Sequence, residues 1–338
     1  MTRTLMNTLF VQTQGSYLSL DHETIQVKVD GERRMQIPMH HIGGIVAFGN
    51  VMFSPFLVHR CAADGRDIVL CDMNGRFQAR IVGPTSGNVL LRRAQYEAAD
   101  DSKVKLDMAR SFVEGKIRGA RYVTQRGYRD YKDDELKKTA DDIGDLVPRL
   151  YEATTVDEVR GIEGSAAAQY FKAFPKLLRA DNVTFTGRTR RPPRDPVNAA
   201  LSFVYSMLTR DCVSAAECVG LDPQVGFLHE LRPGRPALAL DLMEEFRHPF
   251  ADRLVLSMFN RGQLKEDDFD HRPGGAVLLG DDARKTVVIA YQERRQDEVM
   301  HPLFEHSVPI GLLPYIQARV LARRLRGDIE KYVAYRWR

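Results

Sequence analysis

Three separated segments carry side chains suited to holding a divalent cation. Glu163 stands in Gly161-Ile162-Glu163-Gly164-Ser165-Ala166-Ala167-Ala168-Gln169-Tyr170, where small residues follow the glutamate for a full turn and Tyr170 falls on the same helical face. His229 closes Gly226-Phe227-Leu228-His229, just before the Pro233-Gly234 turn. Asp241 and Glu244 lie three apart at the acidic start of a predicted helix, where the helix dipole already favours negative charge. Together these segments offer one imidazole nitrogen and two or three carboxylates, a donor set that suits Mg²⁺ or Mn²⁺ better than a closed zinc site. An ion held this way polarises a phosphodiester and activates an attacking hydroxyl. Taken singly, each has an ordinary reading too: an exposed helix position, a histidine near a turn, an acidic first turn. Spacing alone does not bring the segments together.

The elements that must position them divide the chain in two. Through residue 84 the pattern is β: Leu9–Gln12, Tyr17–Leu20, Thr24–Val29, Met35–Pro38 and Ile45–Phe48 are short apolar runs punctuated by Gly15-Ser16 and Asp30-Gly31. Ser54 and Pro55 open a short helix over 54–63, followed by strands Asp67–Cys71 and Phe77–Val82 across an Asn74-Gly75 hairpin turn. Gly83–Asn88 is rich in turn residues and ends this domain. Beyond it, long helical segments cover Leu90–Ala99, Lys103–Tyr131, Leu136–Ala153, Thr155–Arg179, Pro196–Cys218, Leu240–Asn260 and Gly311 onward. Thr155 with Glu158 forms a capping box. Leu242, Phe246, Phe250, Leu254 and Met258 make a buried stripe, bent at Pro249. Within residues 264–300, Gly274-Gly275 suggests a turn and Thr286–Tyr291 a strand. The expected fold class is α+β: a small N-terminal β-sheet domain (1–84) with one short helix, a linker (85–95) and a larger all-α C-terminal domain (96–338) carrying the site.

The formal charge is only +4, from 49 basic and 45 acidic residues, but it is unevenly placed. Lys116–Arg129 holds five basic residues and no acidic one, while Lys172–Asp195 and Arg319–Arg338 each hold seven basic against two acidic. Such clusters neutralise phosphates and release counterions, the main source of sequence-independent DNA affinity; solvated helix faces are the competing reading. The four cysteines, Cys61, Cys71, Cys212 and Cys218, show no zinc spacing and no disulfide framework, which fits a reducing cytoplasm. The longest uncharged stretch, Ile42–Val58, is broken by Gly43, Gly44, Gly49, Asn50 and Pro55, so no membrane span is expected.

Four blocks in order, the Glu163-Gly164 block, Arg188-Thr189-Arg190-Arg191-Pro192-Pro193-Arg194-Asp195-Pro196-Val197-Asn198-Ala199-Ala200-Leu201-Ser202-Phe203, Gly226–His229 and Leu240–Arg247, carry a family resemblance. The sequence resembles the CRISPR-associated integrase, the universal endonuclease-type subunit of spacer acquisition, in the version of type I systems. The resemblance implies that Glu163, His229 and Glu244 are the metal ligands for Mg²⁺ or Mn²⁺, that Asp241 is a nearby acidic position affecting activity, and that Arg190, Arg194, Tyr170 and Tyr205 contact the DNA backbone. For Tyr205, core packing is an equal reading. It further implies a homodimer joined through the β domains, a small ferredoxin-like companion subunit, bound DNA, and an accessory trimming nuclease. The implied reaction is attack by a DNA 3′-hydroxyl on a phosphodiester of the repeat array. Gly119 departs from the family, where many relatives have asparagine. Two other readings use the same residues: a stand-alone metal-dependent nuclease with water as nucleophile, and a basic nucleic-acid-binding scaffold without catalysis.

Overall fold

The computed structural model describes residues 7–73, 77–81, 83, 89–180, 183–302 and 306–337, and forms two compact units, 1–86 and 87–338. The Asn74-Gly75 turn and most of Gly83–Asn88 lie outside the described residues.

The first unit contains β1 (Asn7–Val11), β2 (Ser16–Asp21), β3 (Thr24–Val29), β4 (Glu32–Pro38), β5 (Ile42–Phe48), β6 (Val51–Phe53), helix α1 (Pro55–Ala63), β7 (Asp67–Cys71) and β8 (Phe77–Ile81). They form two four-stranded sheets, ordered β1-β5-β7-β8 and β4-β3-β2-β6. Asp30 and Gly31 both take positive φ, 52° and 80°, the geometry that matches a tight hairpin to strand twist, so β3 and β4 pair directly across this turn. The Ser54 hydroxyl accepts the Leu57 N–H at 3.2 Å and Pro55 needs no donor, which starts α1 where the sequence places it. Leu18, Ile25, Ile45, Leu57 and Ile68 bring both sheets and the helix into one apolar core. The short strand β6 was not legible in the residue pattern, because three residues are too few to show alternation.

The second unit is mostly helical: α2 (Val89–Asp100), α3 (Ser102–Tyr131), α4 (Asp134–Gly144), α5 (Leu146–Glu152), α6 (Val156–Ala173), α7 (Pro196–Cys218), α8 (Ala237–Met243), α9 (Arg253–Asn260), α10 (Asp281–Gln296) and α11 (Leu313–Leu325). Two hairpins are added, β9 (Phe269–His271) with β10 (Val277–Leu279) and β11 (Glu298–His301) with β12 (His306–Pro309). The Thr155–Glu158 capping box at α6 is present, and Asp195 caps α7 by accepting the Asn198 N–H at 2.7 Å. Thr286–Tyr291 is helical rather than a strand: Ala283, Val287, Val288 and Tyr291 are all buried, and that helical spacing outweighs the β-branched composition. The segment expected as one helix over 240–260 is three pieces, α8, a π-helical turn over Arg247–Asp252, and α9. Pro249 has no N–H to give the Glu245 carbonyl, and the ladder shifts, with Ala251 donating to Phe246 across five residues. The last helix stops at Leu325, and residues beyond it run as an irregular segment. No helix among the described residues is long and apolar enough to cross a membrane.

Candidate metal centre

Asp241, on α8, builds the turn that carries His229. Its Oδ2 accepts the N–H groups of Phe227 (2.6 Å) and Leu228 (3.0 Å), and its Oδ1 accepts the His229 N–H (3.0 Å) and meets His229 Nδ1 at 2.7 Å. Gly226 makes this approach possible, because a Cβ there would fall 2.7 Å from both the Ala237 carbonyl carbon and Asp241 Oδ2. The carboxylate is fully buried, and both of its oxygens are spent on the turn. Asp241 is thus corrected from a second candidate ligand to the residue that fixes the orientation of His229. A carboxylate can only accept, so Nδ1 carries the proton, and Nε2 has no partner among the described residues.

Glu163 projects from α6 and Glu244 follows the end of α8; between them lies the ammonium of Lys116, from the middle of α3. Lys116 Nζ pairs with Glu163 Oε1 and, at 2.7 Å, with Glu244 Oε2. The lysine is 4% exposed and Glu244 2%, so both charges depend on this pairing. Burial alone would raise the Glu244 carboxyl, but the cations Arg247 and Lys116, with His229 close by, outweigh it and hold Glu244 far below the usual range. Arg247 grips the other side of this carboxylate through Nη2–Oε1 at 2.8 Å and Nε–Oε2 at 3.2 Å. Arg160, one turn before Glu163, donates to the Leu228 carbonyl at 2.8 Å and so ties α6 to the His229 turn.

Among the described residues, no three His, Cys, Asp or Glu side chains stand together as a ready coordination set. The chemistry of the donors nevertheless fits a hard divalent cation: two carboxylates converge on one positive charge, and the imidazole of His229, held by its other nitrogen, is close enough to Glu244 to act on its charge. Lys116 was read in the sequence only as part of a basic segment. Its signal was there, since Phe112, Lys116 and Ala120 share the buried stripe of α3, and a lysine in such a stripe requires a partner.

The arginine-rich block folds onto the start of α7. Asn198 is fully buried; its Oδ1 accepts from Arg188 (2.7 Å) and the Thr189 N–H (2.9 Å), and its Nδ2 donates to the Gly187 carbonyl (2.8 Å). This pinning explains why Asn198 accompanies the basic run. Arg190 and Arg194 are exposed. The two tyrosines are not on the surface. Tyr170 is 0% exposed, packed against Phe171, Phe174 and the His248 ring, and Tyr205 is 8% exposed with its hydroxyl on Asp252 at 2.6 Å. Both are corrected from backbone contacts to core residues, and Tyr205 acts as a shelf: the guanidinium groups of Arg247 and Arg188 lie 4.6 and 5.2 Å from its ring centre. Gly119 faces the Pro249 ring, where a Cβ would come within 2.9 Å, so in this chain an asparagine would push the π-helical turn off α3.

A β unit of two sheets, and a helical unit that sets two carboxylates around a buried cation beside a pinned arginine loop, define the class of protein to which this chain conforms. The chain belongs to the family of CRISPR associated protein Cas1, whose sequence profile matches residues 9–293. It is 52% identical to a CRISPR-associated endonuclease Cas1 of Moorella thermoacetica, over 99% of both chains, and 48% identical to one of Rhodospirillum rubrum, again over 99% of both. A Cas4 exonuclease/Cas1 endonuclease fusion of R. rubrum is 38% identical over 97% of this chain and 57% of its own length. Among solved structures, a casposase bound to its integration product superposes with a TM-score of 0.84 at 25% identity, covering 97% of this chain and 93% of the casposase. The fold is also that of one part of a Cas6-RT-Cas1–Cas2 complex, with a TM-score of 0.83 at 23% identity over 99% of this chain and 36% of the other.

Proposed function

We propose that this chain is a divalent-cation-dependent endonuclease and integrase of CRISPR adaptation, joining the 3′-hydroxyl of a DNA fragment to a phosphodiester of the repeat array. The observation that carries the reading is the buried Lys116 ammonium shared by Glu163 and Glu244, a cation already seated between carboxylates beside an anchored imidazole. Glu163, Glu244 and His229 Nε2 would hold Mg²⁺ or Mn²⁺, with Lys116 yielding its place. The ion, when bound, supplies polarisation of the phosphate and stabilises charge on its oxygens. Asp241 accepts from Nδ1–H of His229 and so leaves Nε2 as the nitrogen that would face the ion. Arg247 keeps Glu244 ionised and aimed, while Arg190 and Arg194 offer charge to DNA phosphates.

The Cas1–Cas2 assembly among the structural neighbours supports a Cas2 companion, which this proposal takes to be a small ferredoxin-like subunit, and the fusion of Cas1 with a Cas4 exonuclease supports an accessory nuclease, here assigned the trimming of the fragment. A homodimer joined through the β units, residues 1–84, completes the proposed assembly. The test is incubation of purified protein with a labelled 3′-hydroxyl duplex, supercoiled repeat plasmid and Mn²⁺. Joined product is expected, absent in EDTA and in Glu163→Gln. Nicking without joining would replace integration by simple hydrolysis, and joining that survives in Glu163→Gln would remove the proposed site.

A further inference from the structure

The irregular segment after α11 is not a loose tail. Tyr332 and Tyr335 are only 2% and 3% exposed; the Tyr332 hydroxyl and the Tyr335 main-chain N–H both reach Glu245, the immediate neighbour of Glu244, while the Tyr335 hydroxyl donates to the Met300 carbonyl at 3.3 Å. The Glu245 carboxylate, fully buried, accepts from the Tyr332 hydroxyl, from the Tyr335 N–H at 2.6 Å, and from Gln317 Nε2 of α11 at 2.8 Å. Its main-chain carbonyl is the one that Pro249 leaves without a helical donor, and the Trp337 indole N–H takes that place at 2.9 Å. On α3 the same segment reaches the residues just before Lys116. Arg336 meets Glu114 at 3.4 Å, and Ala334 packs so tightly on Gly115 that a Cβ there would sit 2.8 Å from its own.

We infer that residues 328–337 form a positioning strap for the cation centre, with Tyr332 and Trp337 acting through Glu245 to hold Glu244, and through α3 to hold Lys116. The inference rests on the metal-centre reading above. The physical reason lies in the broken helix. Between α8 and α9 the regular ladder is lost: the turn carrying Glu244 keeps only the shorter-range bonds of the Glu244 N–H to Asp241 (3.2 Å) and the Phe246 N–H to Met243 (3.0 Å), and the Glu245 carbonyl has no main-chain donor from Pro249. Side-chain and indole donors from the strap supply the missing constraints, and successive residues of one turn cannot rotate independently. The strap thereby has the place in this centre that outer hydrogen-bond partners have in metal sites generally.

The test uses full-length Trp337→Phe, Tyr332→Phe and the double variant, which keep the rings and remove only the donors, with Glu245→Gln as an independent variant. Mn²⁺ binding is titrated by the loss of free-ion electron paramagnetic resonance signal, and thermal melting is followed in EDTA. The double variant is expected to bind Mn²⁺ about tenfold more weakly, the low end for outer-partner changes, with each single variant between it and the unmodified protein. Weaker binding in Glu245→Gln would support the strap as well. If all variants keep the same Mn²⁺ dissociation constant, whether or not their melting falls, the strap merely stabilises the fold and the inference is overturned. An unmodified protein that binds no Mn²⁺, or whose binding survives Glu163→Gln, would overturn the metal-centre reading and the strap with it, an outcome distinct from loss of the strap alone.

Discussion

Replacing Lys116 by methionine separates the two things its ammonium does, neutralising the carboxylates of Glu163 and the buried Glu244 and occupying the place proposed for a divalent cation. Methionine keeps the length and the apolar stem but leaves Glu163 and Glu244 facing each other. Breaking a buried ion pair by removing one partner costs about 3–5 kcal/mol. The lower end applies here, because Arg247 still grips Glu244 and the side chain of Glu163 is 25% exposed. For the helical unit, residues 87–338, an unfolding entropy of roughly 2 cal/mol/K per residue turns a loss of about 3 kcal/mol into a melting shift of about 6 °C. Mn²⁺ at a hundred times its dissociation constant returns about 2.7 kcal/mol, nearly the whole loss. Lys116→Met is therefore expected to melt about 6 °C below the unmodified protein in EDTA and to recover most of that difference in Mn²⁺. It should gain more from the ion than the unmodified protein, in which the ammonium must first be displaced. The assay is thermal melting by circular dichroism in the two buffers. Equal melting temperatures in EDTA, or a variant that gains nothing from Mn²⁺, would refute the reasoning.

Asp241→Asn removes acceptors from a carboxylate that holds three main-chain N–H groups and His229 Nδ1, so Mn²⁺ affinity should fall by about 10–100-fold; isothermal titration would check it, and an unchanged affinity would make Asp241 purely structural. Gly226→Ala forces a Cβ against the Ala237 backbone and should destabilise the protein by roughly 1–3 kcal/mol in urea denaturation, with loss of Mn²⁺ binding. Burial pushes the Glu114 carboxyl up, but hydrogen bonds from Tyr151 and Arg118 outweigh it and hold it below the ordinary value of 4.5. With the folded value depressed, its contribution is present above pH 4.5 and lost as the pH falls through the folded value. Glu114→Gln should accordingly be less stable than the unmodified protein at pH 7, with the gap closing in acid; a gap constant across a pH series of denaturant melts would refute the assignment. Arg190→Ala and Arg194→Ala should each lower the slope of log affinity for DNA against log salt by about one, measured by fluorescence anisotropy.

Much of this molecule was readable from its sequence because local physics dominates there. The caps at Ser54 and Thr155 and the Asp30-Gly31 turn depend on residues close in the chain, and the elements they open begin where those signals stand. Residue type offered Glu163, His229, Asp241 and Glu244 as donors without ranking the last two, and the four ordered blocks carry the family to which the chain belongs. What tertiary structure decided is which groups meet. Lys116 lies 47 residues from Glu163 along the chain and farther still from Glu244, so no local pattern pairs them. Tyr170 and Tyr205 could equally have faced DNA or the core; the rings of Phe171, Phe174 and His248 pack on the first, and Asp252 claims the hydroxyl of the second. Asp241 offered the same acidic chemistry as Glu244, three residues on. Only the packing of the Gly226 turn on α8 consumed one carboxylate with main-chain donors and left the other facing a cation, because a buried N–H must find an acceptor and the nearest one is then no longer free.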